Sequence, residues 1–218
     1  MSEAFYIFLI KKMKKFILLP ILLMTCAVVT GCKSDKETVV PTTGNVECKV
    51  AIQAHLDAAD MKGRGEKTIT KGNNIVVDYV GRLSDEEVFD TSVESVAKAC
   101  EKYQAGRDYT GGLAFQVGAG QMIPGFDQGV EGMKLGQTKT IVIPAKEAYG
   151  ERSKDKLVPI EKSKVPEADK YTVGTQVQTD YGQVFKVYEI TDTQIIFDAN
   201  HELAGKDLTF DITIKEIK

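Results

Sequence analysis

Two stretches of this chain alternate apolar and polar residues with the period of a β-strand, and most of what lies between them is short, extended and broken by turns. Ile75-Val76-Val77-Asp78-Tyr79-Val80-Gly81-Arg82-Leu83 is β-branched and aromatic, as strands are. Leu208 to Ile217 sets Leu208, Phe210, Ile212 and Ile214 on an inward face and Thr209, Asp211, Thr213 and Lys215 on an outward one. Val88–Ser92, Leu113–Val117 and Thr138–Pro144 read as further strands, the last with Ile141 and Ile143 on one face. Met122–Met133 reads as a short helix opened by Pro124 in its first turn, with Phe126, Val130 and Met133 as its apolar face. A second short helix is expected within Val93–Lys102. From Glu151 to Asp198 the strand pattern restarts, at Val158–Ile160, Gly174–Gln178, Gln183–Ile190 and Gln194–Asp198. Residues 45–70 are harder to read, and Val46–Ile52 alternates weakly, as a strand would. The whole predicts an α+β fold with antiparallel pairing.

The start of the chain carries a different signal. Lys11, Lys12, Lys14 and Lys15 form a basic cluster, and an apolar run from Phe16 to Val29 follows, broken by Pro20 and Thr25. This order marks a secretory signal, and the run is short against the roughly 20 apolar residues that span a membrane. The run ends in Val29-Thr30-Gly31-Cys32, which resembles the cleavage motif of lipoproteins. That resemblance makes Cys32 the lipid-modified first residue and residues 1–32 a signal or anchor segment. An uncleaved amino-terminal anchor helix is the alternative, since Phe5–Ile10 adds apolar residues upstream, and a cytoplasmic chain is the least favoured. Met13 makes a more typical signal start than Met1. Residues 33–70 are expected to hold a polar tether, to about Gly44, and an extension of unassigned role. The chain is therefore expected outside the cytoplasm, on the outer face of the cell membrane, held by lipid.

Composition narrows the chemistry. The 218 residues carry a net charge of -3, which gives no electrostatic footprint for nucleic acid. Two histidines and no Cys-x-x-Cys pair predict no metal site. Of four cysteines, Cys48 and Cys100 remain as thiols once the signal is removed and Cys32 is lipid-modified. In an oxidising compartment they can pair; two free thiols are the alternative, because sequence does not give their separation.

Six segments, in order, resemble the FKBP family of peptidyl-prolyl isomerases: Val77–Leu83, Val88-Phe89-Asp90-Thr91-Ser92, Phe115-Gln116-Val117-Gly118, Gln121–Gly129, Gly132-Met133 and Ile143-Pro144-Ala145-Lys146-Glu147-Ala148-Tyr149-Gly150. The later Asn200–Phe210 resembles the SlyD-like branch, in which a flap domain is inserted before it. The resemblance covers about residues 70–218 and implies a twisted antiparallel sheet wrapped on one short helix. It assigns residues 71–150 plus 199–218 to the isomerase domain and 151–198 to a small β-rich insert. Two features depart from the branch. Val93–Gly112 is longer than the usual loop and resembles that of extracytoplasmic archaeal members, and a His- and Cys-rich tail is missing, which argues against nickel handling.

The resemblance implies rotation about X-Pro bonds. That amide isomerises slowly, over a barrier of roughly 18–20 kcal/mol, because its C–N bond is partly double. The half-rotated amide has less charge separation than the planar one, so an apolar pocket that strips water favours it, with no nucleophile, metal or cofactor. By match to the family pattern the pocket is lined by Tyr79, Phe89, Phe115, Met122, Ile123, Phe126, Tyr149, Leu203 and Phe210, with Leu113 second in rank. Phe126 stands where the family has an aromatic floor, often Trp. Asp90 and Tyr149 supply polar contacts, Tyr149 donating to a substrate carbonyl and the Ile123 N–H bonding the carbonyl on the other side. Singly, each Phe is as well explained by core packing, Tyr79 as a solvent-facing strand residue and Asp90 as a turn cap. His55 and His201 read as surface residues.

The expected partners are unfolded or nascent chains containing proline, with the protein a monomer. The insert is expected to hold such clients. Val177, Val184, Phe185, Val187, Ile195, Ile196 and Phe197 either close a small core or form an exposed patch, and sequence does not divide them. A catalytically weak client-binding module is the alternative function, and a purely structural surface lipoprotein a third.

Overall fold

The computed structural model describes residues 45–179 and 183–218, together with a two-residue strand β1 at Lys14–Lys15. Apart from Lys14–Lys15, the signal segment with Cys32, and the tether to Gly44, lie outside the described residues. The chain divides into two compact units: Arg152–Glu202 forms one, and residues 45–151 with Leu203–Lys218 the other.

In the larger unit β3 (Asn74–Arg82) is central. It pairs antiparallel with β12 (Leu208–Ile217), which pairs on its far side with β7 (Thr138–Ile143). The other edge of β3 is shared: β5 (Leu113–Gln116) pairs with its first half and β4 (Val88–Thr91) with its second. Residues 92–112 therefore leave the sheet at the end of β4 and return to the same edge at β5. They contain α2 (Glu94–Ala99), numbered after α1 below.

One face of the sheet packs on α3 (Pro124–Gly129). Ile75, Val77 and Tyr79 of β3 and Leu208, Phe210, Ile212 and Ile214 of β12 meet Phe126, Val130 and Met133 there. Alternation in the strands and helical spacing in α3 converge on one core. The helix comes close because Gly125 lacks a side chain; a Cβ there would lie 2.3 Å from Ile143 Cγ2. Asp127, buried on α3, accepts the Gly118 N–H at 2.9 and 3.0 Å, pinning the helix to the turn after β5.

The opposite face corrects two expectations. Val46–Asp57 is a helix, α1, not a strand. The Asn45 side chain caps it by accepting the Cys48 N–H at 3.0 Å. Cys48 and Ile52, one turn apart, are buried with Val80, Val88, Val96 and Cys100, while Val46 and Val50 are exposed. The apparent period of two mixed a buried and an exposed stripe of one helix. Cys48 and Cys100 are joined by a disulfide. Asp211, expected outward to solvent, is fully buried on this face, where Arg82 Nε donates to it at 2.9 Å and Thr140 at 2.6 Å. Residues 64–68 form β2 (Arg64–Thr68), paired with β6 (Lys134–Leu135).

The smaller unit is a sheet in the order β1, β9 (Gln176–Gln178), β10 (Val184–Ile190), β11 (Gln194–Asp198), β8 (Leu157–Glu161). Val177, Phe185, Val187, Ile195 and Phe197 face its core, and Tyr171 meets Phe197 edge-on. Val184 and Tyr188 point outward from β10 and are about half exposed, with Val173 still more so, and Ile196 is half-buried. Asn200 stitches the base: its side-chain amide accepts the Ser153 N–H and donates to the Ser153 carbonyl, and its amide and backbone N–H groups donate to Asp198.

Candidate active site: an aromatic cage with a charged rim

Phe126 is enclosed by three rings. Phe210 meets it edge-on with centroids 5.0 Å apart, Phe115 lies at 5.8 Å, and Tyr79 meets it edge-on at 6.3 Å. Phe89 stands edge-on to Phe210 at 5.4 Å. Tyr79, Phe115, Phe126, Leu203 and Phe210 are buried in one cluster, and Phe89, Leu113, Met122 and Ile123 pack against it half-buried. Strand period explains the arrangement: Tyr79 and Phe210 come from neighbouring strands on the face that α3 covers. Gly81 leaves room for the cage, since a Cβ there would lie 2.6 Å from the Phe89 ring and 2.9 Å from that of Phe210. Buried as it is, Tyr79 does not face solvent.

The polar side of the cage is a triad. The Tyr79 hydroxyl donates to Asp90, and Arg107 pairs with the same carboxylate at 2.6 Å. Arg107 also donates to the Tyr79 oxygen at 3.0 Å. Burial and then the Asp90 carboxylate push the Tyr79 phenol up to about 12, with Arg107 pulling the other way. The Arg107 guanidinium is itself held above its ordinary value, chiefly by Asp90. Asp90 is thus part of a charge network and not a turn cap.

The backbone of Tyr79 is fixed from the Phe-Asp-Thr-Ser segment. Its N–H donates to the Ser92 hydroxyl at 2.9 Å, and its carbonyl accepts from the Thr91 hydroxyl at 2.7 Å and the Ser92 N–H at 3.0 Å. Ile123 is the N-cap of α3, a position whose N–H has no partner within the helix. Tyr149 follows the 3₁₀ turn Ala145–Glu147 and remains 38% exposed.

Sequence reading missed Arg107. A signal was present: a half-buried carboxylate calls for a cation, and Arg107 is the one arginine between Val93 and Gly112. His55 is also not the surface residue expected. Its Nε2 is buried without a hydrogen-bond partner, and burial lowers its pKa against the opposing pull of Asp211 and Asp78. Among the described residues no cluster of His, Cys, Asp or Glu could hold a metal ion.

Comparison with known proteins matches the sequence of this chain to a family. The sequence profile described as FKBP-type peptidyl-prolyl cis-trans isomerase matches residues 65–215. The chain is 37% identical over 150 residues to the short-type peptidyl-prolyl cis-trans isomerase of Methanocaldococcus jannaschii, covering 69% of this chain and 94% of that protein. It is 29% identical over 132 residues to peptidyl-prolyl cis-trans isomerase FKBP2 of Bos taurus, covering 61% and 80%. It is 30% identical over 114 residues to the FKBP-type isomerase SlyD of Treponema pallidum, covering 51% and 65%.

Proposed function

The chain belongs to the FKBP-type peptidyl-prolyl cis-trans isomerases, and from that premise we propose that the cage around Phe126 is its proline pocket and that Arg152–Glu202 is a SlyD-like client-holding insert. The observation that carries the pocket is the enclosure of Phe126 by Tyr79, Phe115 and Phe210, with the Asp90–Arg107 pair at the rim. A proline ring docks on the aromatic floor and loses its water. The planar, charge-separated amide is penalised more than the half-rotated one, which lowers the barrier. The Ile123 N–H and the Tyr149 hydroxyl bond the carbonyls on either side of the reacting bond and hold the chain while it turns. Met122, Leu203 and Leu113 complete the apolar wall.

Support for client holding comes from the outward face of β10, where Val184 and Tyr188 stand exposed, and from Val173, exposed in the same unit. The edge of β9 also accepts an extended segment: Lys14 and Lys15 pair with Gln178 and Val177. Backbone pairing of that kind is tolerant of sequence, as a holder of unfolded chains requires. Tethering a client to the isomerase raises the local concentration of its prolines. The basic and apolar start of the chain, with Cys32, supports export and lipid anchoring, and the clients are then exported or surface proteins. The disulfide fits an oxidising compartment.

Proline-limited refolding of a protein, beside isomerisation of a short proline peptide, tests both halves. Tyr149→Ala should slow both. Deleting 152–202 should slow protein refolding and spare the peptide. Equal loss on both substrates after the deletion would remove the holding role, and no effect of any cage substitution would remove the pocket.

A further inference from the structure

We infer that the Cys48–Cys100 disulfide is the anchor that holds Arg107 on the rim of the proline pocket, so that breaking it lowers catalysis through Arg107. This rests on the pocket reading above.

Arg107 reaches Asp90 and Tyr79 from a loop with two fixed ends. The far end is held where Lys215 donates to the Thr110 carbonyl at 2.9 Å and Leu113 enters the sheet opposite Val77. The near end begins at Cys100, which closes α2. That helix has six residues and no side-chain N-cap bond, so its own hydrogen bonds do not fix it. Its place is set by Val96, Ala97 and Cys100, buried under α1. Two links join the start of α1 to the end of α2: the disulfide, and Asn45 Nδ2 donating to the Ala99 carbonyl at 3.4 Å. Directly after Cys100 the chain reverses. Glu101 is left-handed at φ 56°, and the Lys102 N–H returns to the Ala97 carbonyl at 2.7 Å. The loop then stiffens on itself: Tyr103 stacks on Tyr109 at 5.4 Å, and the Tyr109 hydroxyl accepts the Gln104 N–H at 2.9 Å. Arg107 sits within this braced turn, over the Tyr109 ring. The position of its guanidinium therefore follows from where Cys100 is tied. Both sulfurs are buried, Cys48 1% and Cys100 6% exposed, which suits a permanent strap.

The test is a double-mutant cycle in the full-length protein, read as kcat/KM on a proline peptide and as the cooperativity of thermal unfolding. Arg107→Gln should lower kcat/KM roughly tenfold, the weight of a lost charge-assisted bond, and Arg107→Lys should restore part of it. The Cys48→Ala plus Cys100→Ala variant, still unfolding cooperatively, should show a similar loss. Arg107→Gln added to it should then cost little more, because coupled losses do not add. Two glycines inserted between Lys102 and Tyr103, with the disulfide intact, should reproduce the loss, which keeps the test decisive should the cysteine variant fail to fold. Wild-type kcat/KM in the folded cysteine variant or in the glycine insertion would overturn the inference, as would losses that multiply. If Tyr79→Phe and Phe126→Leu also leave kcat/KM unchanged, the pocket reading falls with it; if they lower it, only the strap is refuted.

Discussion

Arg107 lies seventeen residues beyond Asp90 in the chain and closes a 2.6 Å ion pair on its carboxylate, with the Tyr79 hydroxyl held between them. The phenol donates to Asp90 and accepts from Arg107. Tyr79→Phe keeps the edge-on contact with Phe126 and removes only the oxygen. Hydrogen bonds to charged groups contribute about 1.5–3 kcal/mol, so stability should fall by about 1.5 kcal/mol or more and kcat/KM by roughly tenfold. Proline-peptide isomerisation and urea unfolding read the two effects. A drop in stability with no change in rate would make the hydroxyl a brace for packing alone.

The same phenol gives the protein an alkaline limit. Its ordinary value is 10 and the folded value about 12, raised first by burial and then by Asp90. A raised folded value means the unfolded chain releases its proton first. The contribution is complete below pH 10 and is lost as pH rises toward 12. Urea midpoints at pH 9, 10.5 and 11.5 should fall more steeply for the wild type than for Tyr79→Phe. Parallel curves would mean that Tyr79 ionises as it does in the unfolded chain.

How far the sequence could be read depended on where each signal was stored. Period-two burial in β3 and β12 and the Pro124-opened helix were written locally, and the aromatic cage follows from them. Asp211 broke the same rule because α1 covers a face that the alternation assigned to solvent. α1 itself was misread because Val46 and Val50, exposed, interleave with Cys48 and Ile52, buried, in a pattern that mimics a strand. Arg107 was legible only as the one arginine of its loop: its partners are set by the path of that loop, and no periodicity encodes that path. The division of the insert's apolar residues into core and surface was likewise invisible until β10 fixed which side Val184 and Phe185 take.

Gly81 separates catalytic from structural roles in the cage. A methyl group at this position would meet the Phe89 ring at 2.6 Å and the Phe210 ring at 2.9 Å, so both must shift. Gly81→Ala should cost about 1–3 kcal/mol, the usual range for overpacking. In the proposed pocket the displaced rings are lining residues, so kcat/KM should fall further than Tyr79→Phe makes it fall. A stability loss in that range with full activity would mean that Phe89 and Phe210 do not contact the substrate.

His55 sets the acid side. It lies in the last turn of α1, and its Nε2 is buried with no hydrogen-bond partner. Burial lowers its pKa from 6.5, and Asp211 and Asp78 resist that shift without cancelling it. A lowered folded value for a base means that the unfolded chain takes up the proton first. The stability it leaves intact above pH 6.5 is therefore lost as pH falls through the folded value. His55→Leu cannot take up the proton and also removes the unpaired nitrogen. At pH 7.5 it should be as stable as the wild type or more stable by about 1 kcal/mol, since a buried polar atom without a partner destabilises. Between pH 7.5 and 5.5 its urea midpoint should stay level while that of the wild type falls. An equal fall in both proteins would assign the acid sensitivity to other groups, and a lower midpoint for the variant at pH 7.5 would mean that the imidazole packs α1 against the sheet better than leucine does.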